Sequence, residues 1–388
     1  MGLSVVIPVF AMLFLDPQNQ IFGSGFTDAQ IMMILGLLKA SYPLFQLIGA
    51  PFLGNLSDRI GRKPVLIITL SGTLLGYLLI IYSIFTQNIY LLFAGRIIDG
   101  ITGGNIVVLY SVIADVSDPK QKASRFGLIG MAFGLGFIFG PFLGGLTSSS
   151  DIISWFNYTT PFVLSAVLVA INLLFILSRF PETRISLRKE KLRFYAGIRD
   201  FFKLLSNKEL SALFLVFFLF IMGFTFYTQF YDVFLISKFD FNQQQIGNVF
   251  AYIGLWIVLS QGYLTGKLSQ YFNAGKVIFT SFVVLAITLL ILLIPDDYRL
   301  LFIILPFVSV AHGLIQPNLL GLISNSASAD FQGKVIGFSQ SLQSIGYAIP
   351  PLISGFVIAL NLNLPIIISA CFISLAFIFF LVFRFFSK

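Results

Sequence analysis

Long apolar runs separated by short polar breaks fill almost the whole chain. The runs occupy residues 1–15, 29–53, 65–85, 89–114, 123–146, 159–178, 209–236, 245–266, 276–294, 299–323, 333–359 and 363–386. Most of them match the roughly 20 residues that an α-helix needs to cross the hydrocarbon core. Because a spanning segment must satisfy its own backbone hydrogen bonds, each run predicts a membrane helix. The pattern predicts an all-α integral membrane protein with twelve transmembrane helices.

Composition and charge fit this prediction. The chain is 57% hydrophobic and only 10% charged, whereas a soluble domain carries about 25% charged residues. Of the 24 Lys and Arg, 20 fall on the loops and tails of the face that carries residues 54–64. Since basic loops stay in the cytoplasm, this face and both termini are predicted to be cytoplasmic. The net charge of +8 then reflects topology, and no nucleic-acid partner is predicted.

The chain also repeats internally. The longest polar stretch, residues 179–208, separates six runs from six. At an offset of 210 positions, Gly127, Pro141 and Gly145 are matched by Gly337, Pro351 and Gly355. Internal repeats are the usual build of secondary transporters. We predict an N-terminal bundle (1–178), a basic linker (179–208) and a C-terminal bundle (209–388). Within the linker, residues 194–205 form either a helix on the membrane surface or a solvated segment.

Two motifs stand out among the apolar runs. The second and third runs are joined by the charged hairpin G-N-L-S-D-R-I-G-R-K-P, residues 54–64. The fifth run carries a ladder of small residues: Gly127, Gly136, Gly140, Pro141, Gly144 and Gly145. Glycines four positions apart clear one helix face for close packing, and a proline bends the helix.

These motifs resemble those of the major facilitator superfamily. The hairpin is similar to its loop 2–3 signature, and the ladder is similar to the helix 5 signature of its proton-coupled antiporters. Gly95, Arg96, Asp99, Gly100 and Gly103 resemble its helix 4 motif. The chain looks most like the twelve-helix tetracycline and multidrug branch. The resemblance implies two pseudo-symmetric six-helix bundles that export a small organic compound or drug by alternating access. It also implies a functional monomer in a bacterial inner membrane, driven by protons without a cofactor.

Helix 1 departs from that branch. The branch places an acidic residue ahead of the segment that corresponds to Gly2–Pro8, which here opens the chain. Either translation starts further upstream, or the first helix enters the bilayer incompletely.

The resemblance assigns the charged hairpin a role as a conformational latch. The latch residues are Gly54, Asp58, Arg59, Gly61, Arg62, Lys63 and Asp115. Ion pairs of this kind can be remade in two discrete arrangements. The alternative is that the positive charges only anchor the topology.

Four ionisable residues inside the spans are candidates for proton coupling. Arg96 and Asp99 lie three residues apart and share a helix face, and Lys39 is predicted at a similar depth. Charges in a bilayer are costly, so these three residues are expected to form a cluster. Asp99 either exchanges a proton or belongs to a fixed ion network. His312 either carries a proton, as its ordinary titration range allows, or is a hydrogen-bonded cavity residue.

Other polar and aromatic residues are predicted to line a substrate cavity. The candidates are Tyr42, Gln46, Asn105, Tyr227, Gln229, Gln316 and Asn318. Asp232 is expected to be a solvated acid near the outer end of helix 7. An aromatic content of 16% suits amphiphilic or cationic compounds. A single histidine predicts no metal site.

Several other functions remain open at this stage. The same fold would serve a metabolite or siderophore exporter, an importer, or a membrane sensor that has lost transport. An enzyme is disfavoured, since the sequence has no metal-ligand cluster. The absence of a phosphate-binding G-x-x-x-x-G-K-[ST] loop also disfavours direct drive by ATP.

Overall fold

The computed structural model describes residues 2–16, 26–117, 122–150, 152–184, 207–327 and 332–386. Over these residues the chain forms helices and short connections. We number the twelve helices in chain order, and three of them have more than one segment. They are α1 (Gly2–Val5 and Ile7–Leu15), α2 (Asp28–Ile60), α3 (Arg62–Phe85), α4 (Ile89–Gly103 and Ile106–Asp115), α5 (Lys122–Ser148), α6 (Thr160–Arg179), α7 (Lys208–Phe239), α8 (Gln243–Leu259, Ser260–Leu264 and Thr265–Ser269), α9 (Ala274–Ile291), α10 (Leu301–Asn325), α11 (Gln332–Leu360) and α12 (Leu364–Phe386).

Each predicted span corresponds to one of these helices. In the described part of the chain, ten helices are long and apolar enough to cross a membrane, and Gly134–Ser148 of α5 is a shorter apolar helix. Polar side chains fix several helix starts. Thr27 and Gln30 form a reciprocal capping box at α2, and Asn88 accepts hydrogen bonds from the first backbone N–H groups of α4. These side chains satisfy N–H groups that have no partner within the helix.

One predicted boundary was wrong, and two other spans keep close to their predicted limits but are irregular within them. The span expected at 29–53 continues as helix to Ile60, so most of the hairpin is helical and only Gly61 turns the chain, with φ of 102°. The span expected at 89–114 is interrupted at Gly104 and Asn105. The span expected at 245–266 contains a π-helical turn at Ser260–Leu264. Hydropathy predicts which residues are apolar enough for the membrane. It does not predict where a helix continues into a polar segment, or where it is broken or contains a π-helical turn.

The helices belong to two compact units. The first comprises Met1–Leu192 with Asn242–Ala251, and the second comprises Arg193–Phe241 with Tyr252–Lys388. The predicted division at residues 178 and 208 stays a prediction, and the surface helix proposed within 194–205 lies outside the described residues.

Packing within the units reflects the sequence repeat. In the first unit α3 packs against α4 and α6, and in the second α9 packs in the same way against α10 and α12. α1 contacts α5, just as α7 contacts α11. α7 is largely buried in the second unit, whereas α4 carries a buried ion pair in the first.

Candidate functional site

The first unit holds an ion pair buried within α4. The Nη1 atom of Arg96 lies 3.5 Å from Oδ2 of Asp99. Only 1% of Arg96 and 3% of Asp99 is exposed. The two residues lie three positions apart, so the helical repeat places them on one face. A charge this deeply buried is stabilised only when it has partners.

Aromatic rings enclose the Arg96 guanidinium. Its Cζ atom lies 4.9 Å from the centroid of the Tyr42 ring on α2 and 5.5 Å from that of Phe10 on α1. A guanidinium is attracted by the electron-rich faces of such rings. Among the described residues its Nε atom has no hydrogen-bond acceptor. Arg96 is therefore fixed by one carboxylate and two rings.

Glycines allow α2 and α3 to pack directly on the helix that carries Asp99. A Cβ atom added to Gly76 of α3 would lie 2.9 Å from the carbonyl oxygen of Gly95 and 3.1 Å from Cβ of Asp99. One added to Gly100 would lie 2.6 Å from the Tyr42 carbonyl oxygen of α2. These contacts bring the backbones of α2 and α3 close to the segment of α4 that carries Asp99.

Polar side chains surround the interruption of α4. The Thr73 hydroxyl on α3 lies 2.9 Å from the Thr102 hydroxyl on α4. Gln46 donates from Nε2 to the Gly103 carbonyl oxygen at 3.0 Å. Asn105 donates from Nδ2 to Oγ1 of Thr69 at 3.4 Å. Two cavity candidates thus make hydrogen bonds at the helix break. Gln46 bonds to the residue just before the break, and Asn105 bonds to α3 from the break itself.

Tyr42 and Lys39 lie on the same stretch of α2. Tyr42 is a predicted cavity residue, and its hydroxyl occupies the space that a side chain at Gly103 would need. Lys39 is also buried, at 8% exposed. The ion pair that the structure shows is Arg96–Asp99, and membership of Lys39 in the same cluster stays a prediction.

The hairpin residues form a second charged cluster at the end of α2. Arg62 lies 2.9 Å from Asp58 and 2.9 Å from Asp115, and its Nη1 atom donates to the Ser57 hydroxyl at 2.6 Å. Its side chain is 3% exposed. One guanidinium thus joins the ends of α2, α3 and α4. Arg59 lies on the exposed side of α2.

Glu182, just after α6, extends this cluster and was missed in the sequence analysis. Its carboxylate accepts from the backbone N–H groups of Arg62 at 2.9 Å and Lys63 at 3.0 Å. Burial acts to raise its pKa, but these two N–H groups and those of Thr183 and Arg184 hold the pKa below its ordinary value. Glu182 thereby satisfies the start of α3.

Two further contacts complete the cluster. The guanidinium of Arg184 lies 3.4 Å from Asp58, and Lys63 donates from Nζ to the Leu177 carbonyl oxygen at 3.2 Å. Gly61 opens α3 and has no side chain to cap it. Because no neighbouring side chain caps the start of α3, its free N–H groups need an acceptor from elsewhere in the chain. The glycine at the N-cap position is the sequence signal for such an acceptor.

The glycine ladder of α5 marks close contacts inside the first unit. The Ser4 hydroxyl donates to the Gly136 carbonyl oxygen at 2.8 Å, and Gly144 lies against the backbone of Val5. Gly145 lies against the start of α8, where a Cβ on Gly247 would be 2.5 Å from the Pro141 carbonyl oxygen. Gly127 lies nearer the start of α5, and Gly140 is buried. The antiporter role of the ladder stays a prediction.

In the second unit, aromatic rings enclose His312. Its imidazole stacks on Phe224, with ring centroids 3.5 Å apart, and on Phe220 at 5.2 Å. Its Nδ1 atom is buried without a hydrogen-bond partner among the described residues. Tyr227 is buried beside Phe224, at a centroid distance of 5.7 Å. His312 and Tyr227 thus share one aromatic cluster.

The remaining cavity candidates are only partly buried. Gln229 follows Tyr227 on α7, and Gln316 lies one turn after His312 on α10. Asn318 donates from Nδ2 to the Leu314 carbonyl oxygen of its own helix at 2.8 Å. Whether these side chains contact substrate stays a prediction.

The expected solvation of Asp232 was wrong. Its side chain is fully buried, and Oδ1 accepts from the backbone N–H of Val233 at 2.9 Å. α7 continues to Phe239 and packs against α11 and α12. Asp232 is therefore buried by protein, although it lies close to the end of the apolar run.

Comparison with known proteins identifies the family. The sequence profile of the Major Facilitator Superfamily matches residues 1–263 and 213–388. The chain belongs to the Major Facilitator Superfamily. It is 31% identical to the class H tetracycline resistance protein of Pasteurella multocida over 92% of this chain and 85% of that protein. It is 27% identical to a quinolone resistance protein of Staphylococcus aureus (strain MRSA252), over 94% and 88% of the two chains.

Solved structures show the same superfamily fold. The human organic anion transporter MFSD10 aligns with 98% of this chain and 89% of its own, with a TM-score of 0.68 and 23% identity. A variant of the nucleoside transporter NupG aligns with 98% and 95%, with a TM-score of 0.75 and 15% identity. The twelve helices fit this fold. The protein is a multi-pass membrane transporter of small molecules, and not an enzyme.

Proposed function

We propose that this superfamily member exports small organic compounds from the bacterial cytoplasm across the inner membrane, in exchange for protons. Its similarity to tetracycline and quinolone resistance proteins supports drug efflux. The basic loops support an orientation with both termini in the cytoplasm. The proton gradient supplies the energy without a cofactor, and a monomer suffices.

The Arg96–Asp99 pair is the observation that carries the proton coupling. Asp99 sits in a span, is almost fully buried and lies 3.5 Å from a guanidinium. A carboxylate in such a place is costly unless it has a function. Because Arg96 keeps its charge, protonation of Asp99 removes one half of an ion pair. The net charge of the site then changes by one as each proton binds or leaves.

The hairpin cluster supports alternating access. Arg62, Asp58 and Asp115 lie at the ends of three helices and are joined by short ion pairs. Breaking and remaking such pairs is a way to hold one of two discrete states. In our proposal this cluster is the latch, and Asp99 is the group whose protonation favours its release.

The test uses purified protein in liposomes with a pH-sensitive dye inside. Tetracycline, a fluoroquinolone, a siderophore, a nucleoside and xylose are added in turn under an imposed proton gradient. We expect a drug to trigger proton flux and the Asp99→Asn variant to abolish that flux. Asp28→Asn is the matched control, since Asp28 lies exposed in the first turn of α2.

Other outcomes separate the alternatives. Flux that survives in Asp99→Asn but is lost in His312→Phe would move the proton site to α10. Flux with xylose or a nucleoside alone would favour a metabolite carrier. No flux with any compound would contradict the antiport proposal and favour a sensor.

A further inference from the structure

A hydrogen-bonded cluster apart from the sites described above joins three helices at one end of the first unit. The Tyr158 hydroxyl, just before α6, donates to Oδ2 of Asp16 at 2.8 Å. Gln243, the first residue of α8, donates from Nε2 to the same hydroxyl at 3.2 Å. A phenol hydroxyl can donate one hydrogen and also accept. One oxygen atom therefore connects the end of α1 to the start of α8.

The cluster lies at the membrane face opposite to the charged hairpin. The hairpin joins α2 to α3, and successive spans run in opposite directions. The connections from α1 to α2, from α5 to α6 and from α7 to α8 therefore lie at the other face. Asp16 follows α1, Tyr158 precedes α6 and Gln243 begins α8. In the orientation proposed above, all three residues face away from the cytoplasm.

The start of α8 does not need Gln243 as a cap. Asn242 and Gln245 exchange hydrogen bonds, and the backbone N–H of each donates to the side-chain oxygen of the other at 2.9 Å. This reciprocal cap satisfies the helix start by itself. The bond from Gln243 to the Tyr158 hydroxyl is therefore free to serve another purpose, which is to attach α8 to its neighbours.

Tyr158 remains a hydrogen donor in this environment. Burial and the Asp16 carboxylate raise the pKa of its hydroxyl well above the ordinary value, while the bond from Gln243 acts in the opposite direction. The hydroxyl therefore keeps its hydrogen at physiological pH. A hydrogen bond to a carboxylate is stronger than one between neutral groups, so the contact with Asp16 is the stronger of the two.

The packing beside the cluster is of a kind that can separate. Gly145 of α5 lies against the backbone of Gln243, and Gly247 of α8 lies against the backbone of α5. Glycines bring two helices together without interlocking side chains. α8 belongs to the first unit as far as Ala251, and from Tyr252 it belongs to the second. Glycine surfaces and the hydrogen-bonded cluster therefore hold the start of α8 to the first unit.

We infer that Asp16, Tyr158 and Gln243 form an outer clasp, which ties the start of α8 to α1 and α6 and opens once in each transport cycle. This inference rests on the proposed alternating access. The outer clasp shares no residue with the ion pairs of the hairpin cluster, so the two clusters can open at different times. Its members are positioning residues: they set which state is populated, and they do not bind the transported compound.

The test measures how often the outer clasp opens in the full-length protein in nanodiscs. The chain has a single cysteine, so Cys371→Ser gives a background without reactive thiols. Ser148→Cys then places a reporter thiol at the outer end of α5, three residues after Gly145 and on the same side of the helix. Because Ser148 is buried, a membrane-impermeant maleimide should react with the reporter only when the outer clasp is open.

We expect Tyr158→Phe to raise the labelling rate about tenfold, the scale of one lost hydrogen bond to a charged group. Gln243→Leu should have a smaller effect, because it removes a bond between neutral groups. The double variant should label no faster than Tyr158→Phe alone, because the removed hydroxyl takes part in both bonds.

Two matched controls lie at the same membrane face. Tyr90→Phe removes an exposed hydroxyl at the start of α4. Gln244→Leu changes the residue next to Gln243, and the Gln244 side chain makes no hydrogen bond within the described part of the chain. Both variants should label within about twofold of the wild-type rate.

A transport measurement links the outer clasp to the cycle. In liposomes, drug-triggered proton flux should fall about threefold in Tyr158→Phe, because fewer molecules occupy the state in which the clasp is closed. Tyr90→Phe should leave the flux unchanged.

The inference and the proposed function fail in different ways. If Tyr158→Phe labels no faster than Tyr90→Phe, the cluster is only structural. If it labels faster but keeps full flux, the clasp opens outside the transport cycle, and the inference is overturned. Labelling needs no proton gradient, so it still tests the clasp if Asp99→Asn retains flux and refutes the proton exchange. A melting curve for each variant identifies any loss of folding, and Gln243→Leu then carries the test.

Discussion

Replacing Gly76 by alanine tests whether the close contact of α3 and α4 holds the Asp99 site in place. The added Cβ would lie 2.9 Å from the Gly95 carbonyl oxygen and 3.2 Å from the Asp99 backbone nitrogen. Both are backbone atoms, which cannot move aside as a flexible side chain would. The helices must therefore separate, and Thr73 and Thr102 would move apart with them.

The expected cost is a balance of two effects. Alanine gains about 1 kcal/mol over glycine in a helix interior. Overpacking of a close contact costs about 1–3 kcal/mol, and this site is at the upper end because backbone meets backbone. We expect Gly76→Ala to lower the free energy of unfolding by about 2 kcal/mol. Gly95→Ala should have a similar effect, since its Cβ would lie 2.8 Å from the Gly76 carbonyl oxygen.

The measurement is unfolding in mixed micelles, as SDS is added to protein in dodecyl maltoside and helix content is followed by circular dichroism. Gly321→Ala on α10 is the control, because no described atom outside its own helix backbone lies within 4 Å of the added Cβ. That variant should be unchanged or more stable by up to about 1 kcal/mol. The double variant Gly76→Ala/Gly95→Ala should cost less than the sum, because one separation relieves both contacts. If Gly76→Ala were as stable as Gly321→Ala, the close contact would not hold the site.

Two more predictions concern the hairpin cluster. Arg62→Gln should lower the free energy of unfolding by about 2 kcal/mol, less than for a fully buried pair, because Asp58 and Asp115 are partly exposed and can be rehydrated. Arg62→Lys should not restore it, since an ammonium cannot reproduce the planar fork of bonds; full rescue would show that only the charge matters. Glu182→Gln should lower stability at neutral pH. Because the pKa of Glu182 is held low in the folded state, its contribution is present above the unfolded value of about 4.3 and disappears as pH falls through the folded value. The stability difference from wild type, measured by SDS unfolding between pH 7 and pH 3, should therefore shrink in acid, and a constant difference would contradict this account.

The twelve helices could be predicted because a bilayer imposes a length on every apolar run. The charged motifs could also be identified from the sequence, because charged residues are rare and costly within membrane-spanning segments. Residues three apart on a helix share a face, which is why the contact between Arg96 and Asp99 follows from spacing alone.

Other features depend on contacts between distant residues. Glu182 meets the start of α3 across 120 positions of sequence. The burial of Asp232 depends on α11 and α12, which cover α7. Thr73 and Thr102 are ordinary helix residues until the antiparallel packing of α3 and α4 places them opposite each other. Sequence periodicity predicts which face of a helix is apolar. It does not predict which other helix packs against that face.

The interruption of α4 has a physical consequence for the proposed exchange. Interrupted backbone in a bilayer needs partners for its freed groups, and Gln46 supplies one to the Gly103 carbonyl oxygen. The segment before the break carries Arg96 and Asp99, and the segment after it ends at Asp115, which binds Arg62. If α4 were unbroken, the Arg96–Asp99 pair and Asp115 would have to move together as one rigid body. With the break, the segment that carries Asp99 can respond to a proton before the ion pairs of the hairpin separate. The two steps can then occur one after the other, each with its own energy barrier.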